Sequence, residues 1–444
     1  MASVSEAPVE SASPGLVQAW LSYFREALPR RHLWPIVTTV GDQGLVSAGA
    51  LALSVLLARH TAQADYGVFV LAYSASNFLL DLQNSLLVEP MMVFTSSVPE
   101  TMRRAYLGSV LALQLTFTGL LMAVVWCGCL IWWAAGGGHA LATVALMPLG
   151  VLGVQSREFA RKLFYACGEP KRALRNDALY VTVLVGGLVL ALAGQRLSGA
   201  TAFTVLGAAG ASTAAVAVAT AHLQLTGLTS EIRSSAQRHW AYGRWMIGVS
   251  GARWSTNELY YFVAAAFLGP AGSAALRAAQ NVFAPVGLFL AGLGNIFLPL
   301  ASRLAQAGSL RRLNHFAAAI GIVLGGAVLA YVVGVSVGSA HVFGLLYGGR
   351  YASYAYLLPL LGAGQVLVAA FQGPSVGLRA LNQTRSIFVV TTLSAILTVA
   401  AVVPLTARWG LAGAVCAMLL SLLLGSPLWV VQYRRAVRRR LAPV

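Results

Sequence analysis

"DLQNSLLVEPMMVF" (81–94) sits inside an apolar run, yet it carries Asp81, Asn84 and Glu89, with Pro90 directly after the glutamate. An ionisable side chain within a membrane span costs about 2.5–3.5 kcal/mol on insertion scales. Whether this run is a span therefore decides both the fold and the meaning of its acids. The rest of the chain settles the first point. Its 444 residues are 58% hydrophobic and 10% charged, with a mean hydropathy of +0.74. A soluble domain carries about 25% charged residues. Repeated apolar runs of span length predict an all-α polytopic membrane protein. No alternating strand pattern of an outer-membrane barrel is present.

Twelve spans are predicted, at 33–58, 66–94, 105–133, 140–167, 178–194, 200–225, 241–268, 273–300, 315–338, 351–375, 385–405 and 409–433. With a cytoplasmic N-terminus, 22 of the 30 Lys and Arg residues fall in inner segments, and only Arg59, Arg196, Arg350 and Arg408 fall in outer loops. This is the positive-inside bias kept in register through the chain, and one miscounted helix would invert it. The net charge of +17 is thus a matter of topology. It does not mark a nucleic-acid binder, and the basic tail "YRRAVRRRLAPV" (433–444) reads as an anchor at anionic membrane lipid.

The linker "GLTSEIRSSAQRHW" (227–240) divides the chain into two equal lobes, 33–226 and 241–434, each of six helices. A cytoplasmic segment (1–32) precedes them and a basic cytoplasmic tail (435–444) follows. "MASVSEAPVESASPG" (1–15) has the composition of a disordered chain and lacks the pattern of a cleaved signal. "WLSYFREALPRRHLW" (20–34) fits either a short interfacial helix or a basic flank. Cys127, Cys129, Cys167 and Cys416 read as core thiols, and no metal site is expected. Walker, dinucleotide, HExxH and GxSxG motifs are missing, so nothing points to an enzyme or to a bound cofactor.

The polar residues inside the spans are the candidate site. At about 100° per residue, Ser74, Asn77, Asp81, Asn84, Ser85 and Glu89 share one arc of the second span. That arc lines a water-filled cavity or forms an interhelical contact. The seventh span carries Arg253, Trp254, Asn257 and Glu258; Arg253 is either a central anion ligand or a salt bridge to Asp42, Asp81 or Glu258. The eighth adds Arg277, Gln280 and Asn281, and the first adds Asp42 and Gln43. Arg157, Glu158, Arg161 and Lys162 cluster at the inner end of the fourth, as local ion pairs or as a headgroup site.

"GDQGLVSAGALALSVLLARHTAQADYGVFVLAYS" (41–74) and "LQNSLLVEPM" (82–91) resemble the opening of Wzx-type polysaccharide flippases of the MOP superfamily, which also holds the MATE exporters and lipid II flippases. "REFARKLFYACGEPKRALRNDALY" (157–180), "FLGPAGSAALRAAQNVFAPVGLFLAGLGNIFLPLAS" (267–302) and "LLYGGRYASYAYLLPLLG" (345–362) extend the resemblance over roughly 40–435. It implies two six-helix lobes in a V, in a bacterial inner membrane. It also implies alternating-access movement of an undecaprenyl-pyrophosphate-linked oligosaccharide to the periplasmic leaflet, alongside a polysaccharide polymerase and other assembly proteins. Arg253, Arg277 and Arg157 would then be phosphate ligands, with Asn257, Trp254, Gln280 and Asn281 as sugar contacts. Asp42, Asp81, Glu89 and Glu258, with Pro90 as a hinge, would suit proton or Na⁺ coupling. A MATE-like cation or drug antiporter shares the fold but favours an acid-rich cavity. A polymerase or ligase of the same pathway usually carries a large outer loop, whereas the outer loops here are short, the longest about a dozen residues around 338–350.

Overall fold

Apolar runs joined by tight polar turns fold here into helices whose breaks fall at the polar interruptions. The computed structural model describes residues 30–136, 138, 140–221, 223, 224 and 229–441; the interfacial helix expected at 20–34 lies mostly outside them. The helices are α1 (Arg30–His60), α2 (Gln63–Gln83), α3 (Glu89–Thr95), α4 (Glu100–Ala134), α5 (Leu141–Ala166), α6 (Pro170–Ala193) and α7 (Gly199–Thr220). They continue as α8 (Thr229–Asn257), α9 (Leu259–Leu268), α10 (Pro270–Asn281), α11 (Ala284–Gln306), α12 (Leu310–Val337), α13 (Ser339–Tyr347), α14 (Leu357–Ala370), α15 (Gln372–Ala380) and α16 (Thr384–Leu441). Among the described residues, eight helical segments are long and apolar enough to cross a membrane, one of them α14 and α15 together. The other passes are more polar or are built from shorter pieces.

Three spans break at a physical cause. Between α2 and α3 the helix widens into a π turn, Asn84–Val88, where Glu89 N–H reaches back to Asn84 O. Pro90 has no N–H to give and its ring crowds the carbonyl four residues back, so the extra residue relieves the clash. Between α10 and α11 the break precedes Pro285, and the Val282 carbonyl is taken instead by the Tyr331 hydroxyl at 2.7 Å. Between α8 and α9, Glu258 leaves helical geometry at φ −121°.

Other differences from the expected spans have equally local reasons. The fifth span begins at Pro170, a favoured first helical residue, so Asn176 and Asp177 lie within the helix and not before it. The last two spans are the legs of one element, α16, with no loop between them; Gly410 (φ 58°) breaks it. Thr398 bonds Ser421 at 2.9 Å and Ser386 bonds Gln432 at 3.3 Å, so the legs run antiparallel. The supposed outer loop near 338–350 is largely the helix α13, whose Phe343 and Tyr347 are buried.

Packing follows two groups, α1–α7 and α9–α16, with α8 running along the seam against α2, the π turn and α4. Successive spans alternate in direction. One end of the bundle therefore collects the arginine-rich turns and the other, holding Arg59, Arg196, Arg350 and Arg408, is arginine-poor.

Candidate functional site

The polar arc of the second span is a contact face. Trp254 Nε1 donates to Ser74 O at 2.8 Å, Asn77 Nδ2 donates to Glu258 Oε1 at 3.0 Å, and the Ser85 and Ser250 hydroxyls are 2.7 Å apart. Arg253 Nη2 lies 2.5 Å from Asp81 Oδ1. Of its two readings the salt bridge is the one observed, and Asp81 neutralises the guanidinium although it is half exposed. The Trp254 ring packs between Phe78 and Phe262. Glu89, past the π turn, makes no ion pair or side-chain hydrogen bond among the described residues.

Arg277 is placed differently. Its guanidinium lies over the rings of Tyr73, from the first lobe, and Tyr261, from the second, at 6.0 and 5.5 Å. Nη1 donates to the Tyr261 hydroxyl at 2.9 Å, and that hydroxyl in turn donates to Gln280 Oε1. No carboxylate pairs with Arg277 among the described residues. It borders a cavity of about 310 Å³ in the second lobe, together with Asn257, Glu258 and Gln280. Glu258 spends one oxygen on Asn77, and its buried Oε2 has no partner. Breaks on both sides, at Glu258 and after Asn281, put polar backbone beside this cavity, the usual construction of a midplane site.

At the arginine-poor end the lobes are sealed. Asn281, a residue expected to meet substrate, instead lies in a buried network: its Nδ2 donates to Ser54 Oγ at 2.8 Å and reaches Tyr347 at 3.4 Å, while Ser54 meets Tyr66 at 2.5 Å. Arg350 Nη1 donates to Thr61 O at 2.6 Å, and Gln63 Nε2 donates to Arg350 O at 2.9 Å. The tightest approach is Gly67 against Pro270, where an added Cβ would sit 1.8 Å from the Pro270 carbonyl oxygen. Gly67→Leu is therefore expected to pry this end open. Overpacking of about 1–3 kcal/mol corresponds to about a 5- to 150-fold shift in a two-state equilibrium. The check is labelling of a Leu57→Cys thiol, with the native cysteines replaced, by an impermeant maleimide; an unchanged labelling rate would refute the seal.

A second buried site lies wholly in the first lobe. Arg157 contacts Glu158 at 3.3 Å and Asp177 at 3.5 Å; Arg161 contacts Glu158 at 2.9 Å, Asp42 at 3.8 Å and Asp177 at 3.9 Å. Tyr165 donates to Asp42 at 2.8 Å and Arg157 lies 4.9 Å over the Tyr180 ring. Arg157 is thus consumed by internal pairs. Three carboxylates face two guanidiniums, so the fully ionised cluster carries one uncompensated negative charge. Asp42 Oδ1 and both amide atoms of Asn176 are buried without partners. Asp177 and Asn176 escaped the sequence reading because the fifth span was started at 178, eight residues past the helix start; Pro170 was the signal for the earlier start.

Toward the arginine-rich end, His239 of α8 joins the lobes. Its Nδ1 faces the Leu86 carbonyl at 3.3 Å, which only an N–H can satisfy, so Nε2 accepts from the Tyr106 hydroxyl at 2.9 Å. Burial, with Arg238 beside it, pushes His239 down to about 4, against the partial opposition of the Leu86 bond. The unfolded chain then binds the proton more readily, so this contact is fully stabilising above about pH 6.5 and is lost as pH falls toward 4. The thermal midpoint of the wild type is expected to fall across that window more steeply than that of His239→Gln; parallel profiles would exclude His239.

No family model and no curated protein matches the chain in sequence. Solved structures match it in fold. An inward-facing multidrug-resistance MATE family transporter of the MOP superfamily superposes with TM-score 0.73 at 13% identity, covering 90% of this chain and 95% of that one. The lipid II flippase MurJ in an inward closed conformation gives 0.71 at 12% identity, over 92% and 91%. An outward-facing MATE family transporter gives 0.57 at 12%, over 91% and 95%. The chain is a multi-pass helical membrane protein with the MATE/MOP transporter fold.

Proposed function

We propose that the protein is a flippase that moves an oligosaccharide on a polyprenyl-pyrophosphate carrier from the cytoplasmic to the periplasmic leaflet of a bacterial inner membrane, by alternating access. The observation that carries this reading is Arg277: a guanidinium at the lobe seam, framed by Tyr73 and Tyr261, without a carboxylate ion pair among the described residues and bordering a cavity. A guanidinium without a direct ion pair favours an anionic substrate even with Glu258 on the same cavity, and its planar fork suits phosphate oxygens. The arginine bias supports cytoplasmic termini and, with them, a sealed arginine-poor end that faces outward. The higher TM-score against the inward-facing than the outward-facing transporter supports the same assignment. Transport is coupled to H⁺ or Na⁺ through the Asp42–Asp177 cluster, whose surplus negative charge one monovalent cation balances.

Glu258, with its unpartnered Oε2, favours the alternative of an organic-cation antiporter. Proteoliposomes separate the two. A fluorescent polyprenyl-pyrophosphate oligosaccharide should become accessible to an impermeant quencher in the opposite leaflet, while ethidium is not moved. Ethidium transport with a static glycolipid would overturn the proposal.

A further inference from the structure

Away from the seam, the third, fourth and sixth passes of the second lobe enclose a groove of about 880 Å³. Its lining shares no residue with the Arg277 cavity. One wall is α12, from Asn314 at the arginine-rich end through Gly325 and Gly326 to Leu329. From Ala317 to Leu329 the apolar trough runs about 18 Å, close to one leaflet's share of about 15 Å in a hydrocarbon core about 30 Å thick, with Asn314 beyond it at the arginine-rich end. The facing wall is the return leg of α16, which brings Arg434 and Arg438 to the mouth. These two lie one turn apart, are exposed, and pair with no carboxylate among the described residues. Asn314 beside them accepts from the Tyr433 hydroxyl at 2.7 Å, which leaves its amide N–H groups free to donate.

The first lobe provides an internal comparison. Its third, fourth and sixth passes also enclose a groove, of about 720 Å³, but no charged side chain lines it, and Thr229 and Ile232 from the start of α8 stand at its mouth. The same architecture is thus met by the chain's own helix in one lobe and by two unpaired guanidiniums in the other.

We propose that the groove of the second lobe is a binding site for an anionic phospholipid of the arginine-rich leaflet. One acyl chain lies along Gly325, Gly326 and Leu329, and the phosphate is held by Arg434 and Arg438. The charge at the mouth and the apolar trough of leaflet length match that amphiphile, and a groove open to the membrane is filled by lipid in any case. The arginines make the choice anionic. This inference does not rest on the transport reading, and its test leaves Arg277 untouched.

Native mass spectrometry of the full-length, delipidated protein tests it with phosphatidylglycerol and phosphatidylcholine as probes. Two arginines near a phosphate imply about a 30-fold preference for phosphatidylglycerol in the wild type. Arg434→Gln with Arg438→Gln should erase that preference. Gly326→Phe, where an added Cβ meets nothing within 4 Å, should fill the trough and lower retention of both lipids while the arginines remain. Equal phosphatidylglycerol binding by wild type and the double variant would overturn the site. So would undiminished lipid retention in Gly326→Phe, which would reduce the effect to surface charge. Retention of a polyprenyl phosphate in place of phosphatidylglycerol would also overturn it, because the occupant would then be the carrier.

Discussion

Arg277→Ala is expected to lower flipping of a pyrophosphate-linked glycolipid by about 100-fold while folded protein still accumulates in the membrane. Two charge-assisted hydrogen bonds to phosphate, at about 1.5–3 kcal/mol each, supply that loss even if only partly formed in the rate-limiting state. The side chain makes no ion pair among the described residues, so its removal breaks no salt bridge there. The structural loss is its packing on Tyr73 and Tyr261 and its bond to the Tyr261 hydroxyl. Cation–π contacts of this kind contribute about 0.5–2 kcal/mol, within reach of a domain's net stability. Arg277→Lys keeps the charge and gives up the planar fork, and should fall between the two, near 10-fold. Transport is read in proteoliposomes and folding by size-exclusion profile and thermal midpoint. Normal flipping by well-folded Arg277→Ala would remove this residue from the substrate path. Arg253→Ala should cost less, because Asp81 already occupies its guanidinium.

The contrast between these two arginines shows what a sequence can and cannot carry. Both stand among polar neighbours within their spans, and the seventh span is the richer in polar groups when drawn as a wheel. Which one is free depends on a partner in the other lobe: Asp81 lies 172 residues from Arg253 in the chain. No periodicity reports such a pairing. The number of passes was legible because hydropathy and the arginine bias are local properties repeated along the chain. Segment ends failed where a helix ran past its apolar stretch. Asp177 is the costly example, since a charged residue inside the fifth helix looks like its flank until Arg157 and Arg161 are seen to enclose it. The helix break was readable at Pro90, but its form was not: the π turn precedes the proline, where the crowded carbonyl lies.

That enclosure makes the first lobe the place where a single substitution should do most damage to the fold. Arg157→Ala removes the partner of Glu158 Oε2 and of Asp177 Oδ1, and both carboxylates stay buried. Breaking one side of a buried pair costs about 3–5 kcal/mol, a large part of a typical net stability of about 5–15 kcal/mol. The expected result is a steep drop in thermal midpoint and little monodisperse protein. Asp177→Asn acts in the opposite sense. It keeps the shape, leaves two carboxylates for two guanidiniums, and takes away the surplus charge that a coupling cation would balance. Asp177→Asn should therefore fold as well as the wild type, yet flip at a rate that no longer responds to an imposed pH or Na⁺ gradient. The two variants fail independently. A stable Arg157→Ala would mean that the cluster is not a closed network. A gradient-sensitive Asp177→Asn would move coupling elsewhere, with Glu89 and Glu258 the acids left to test.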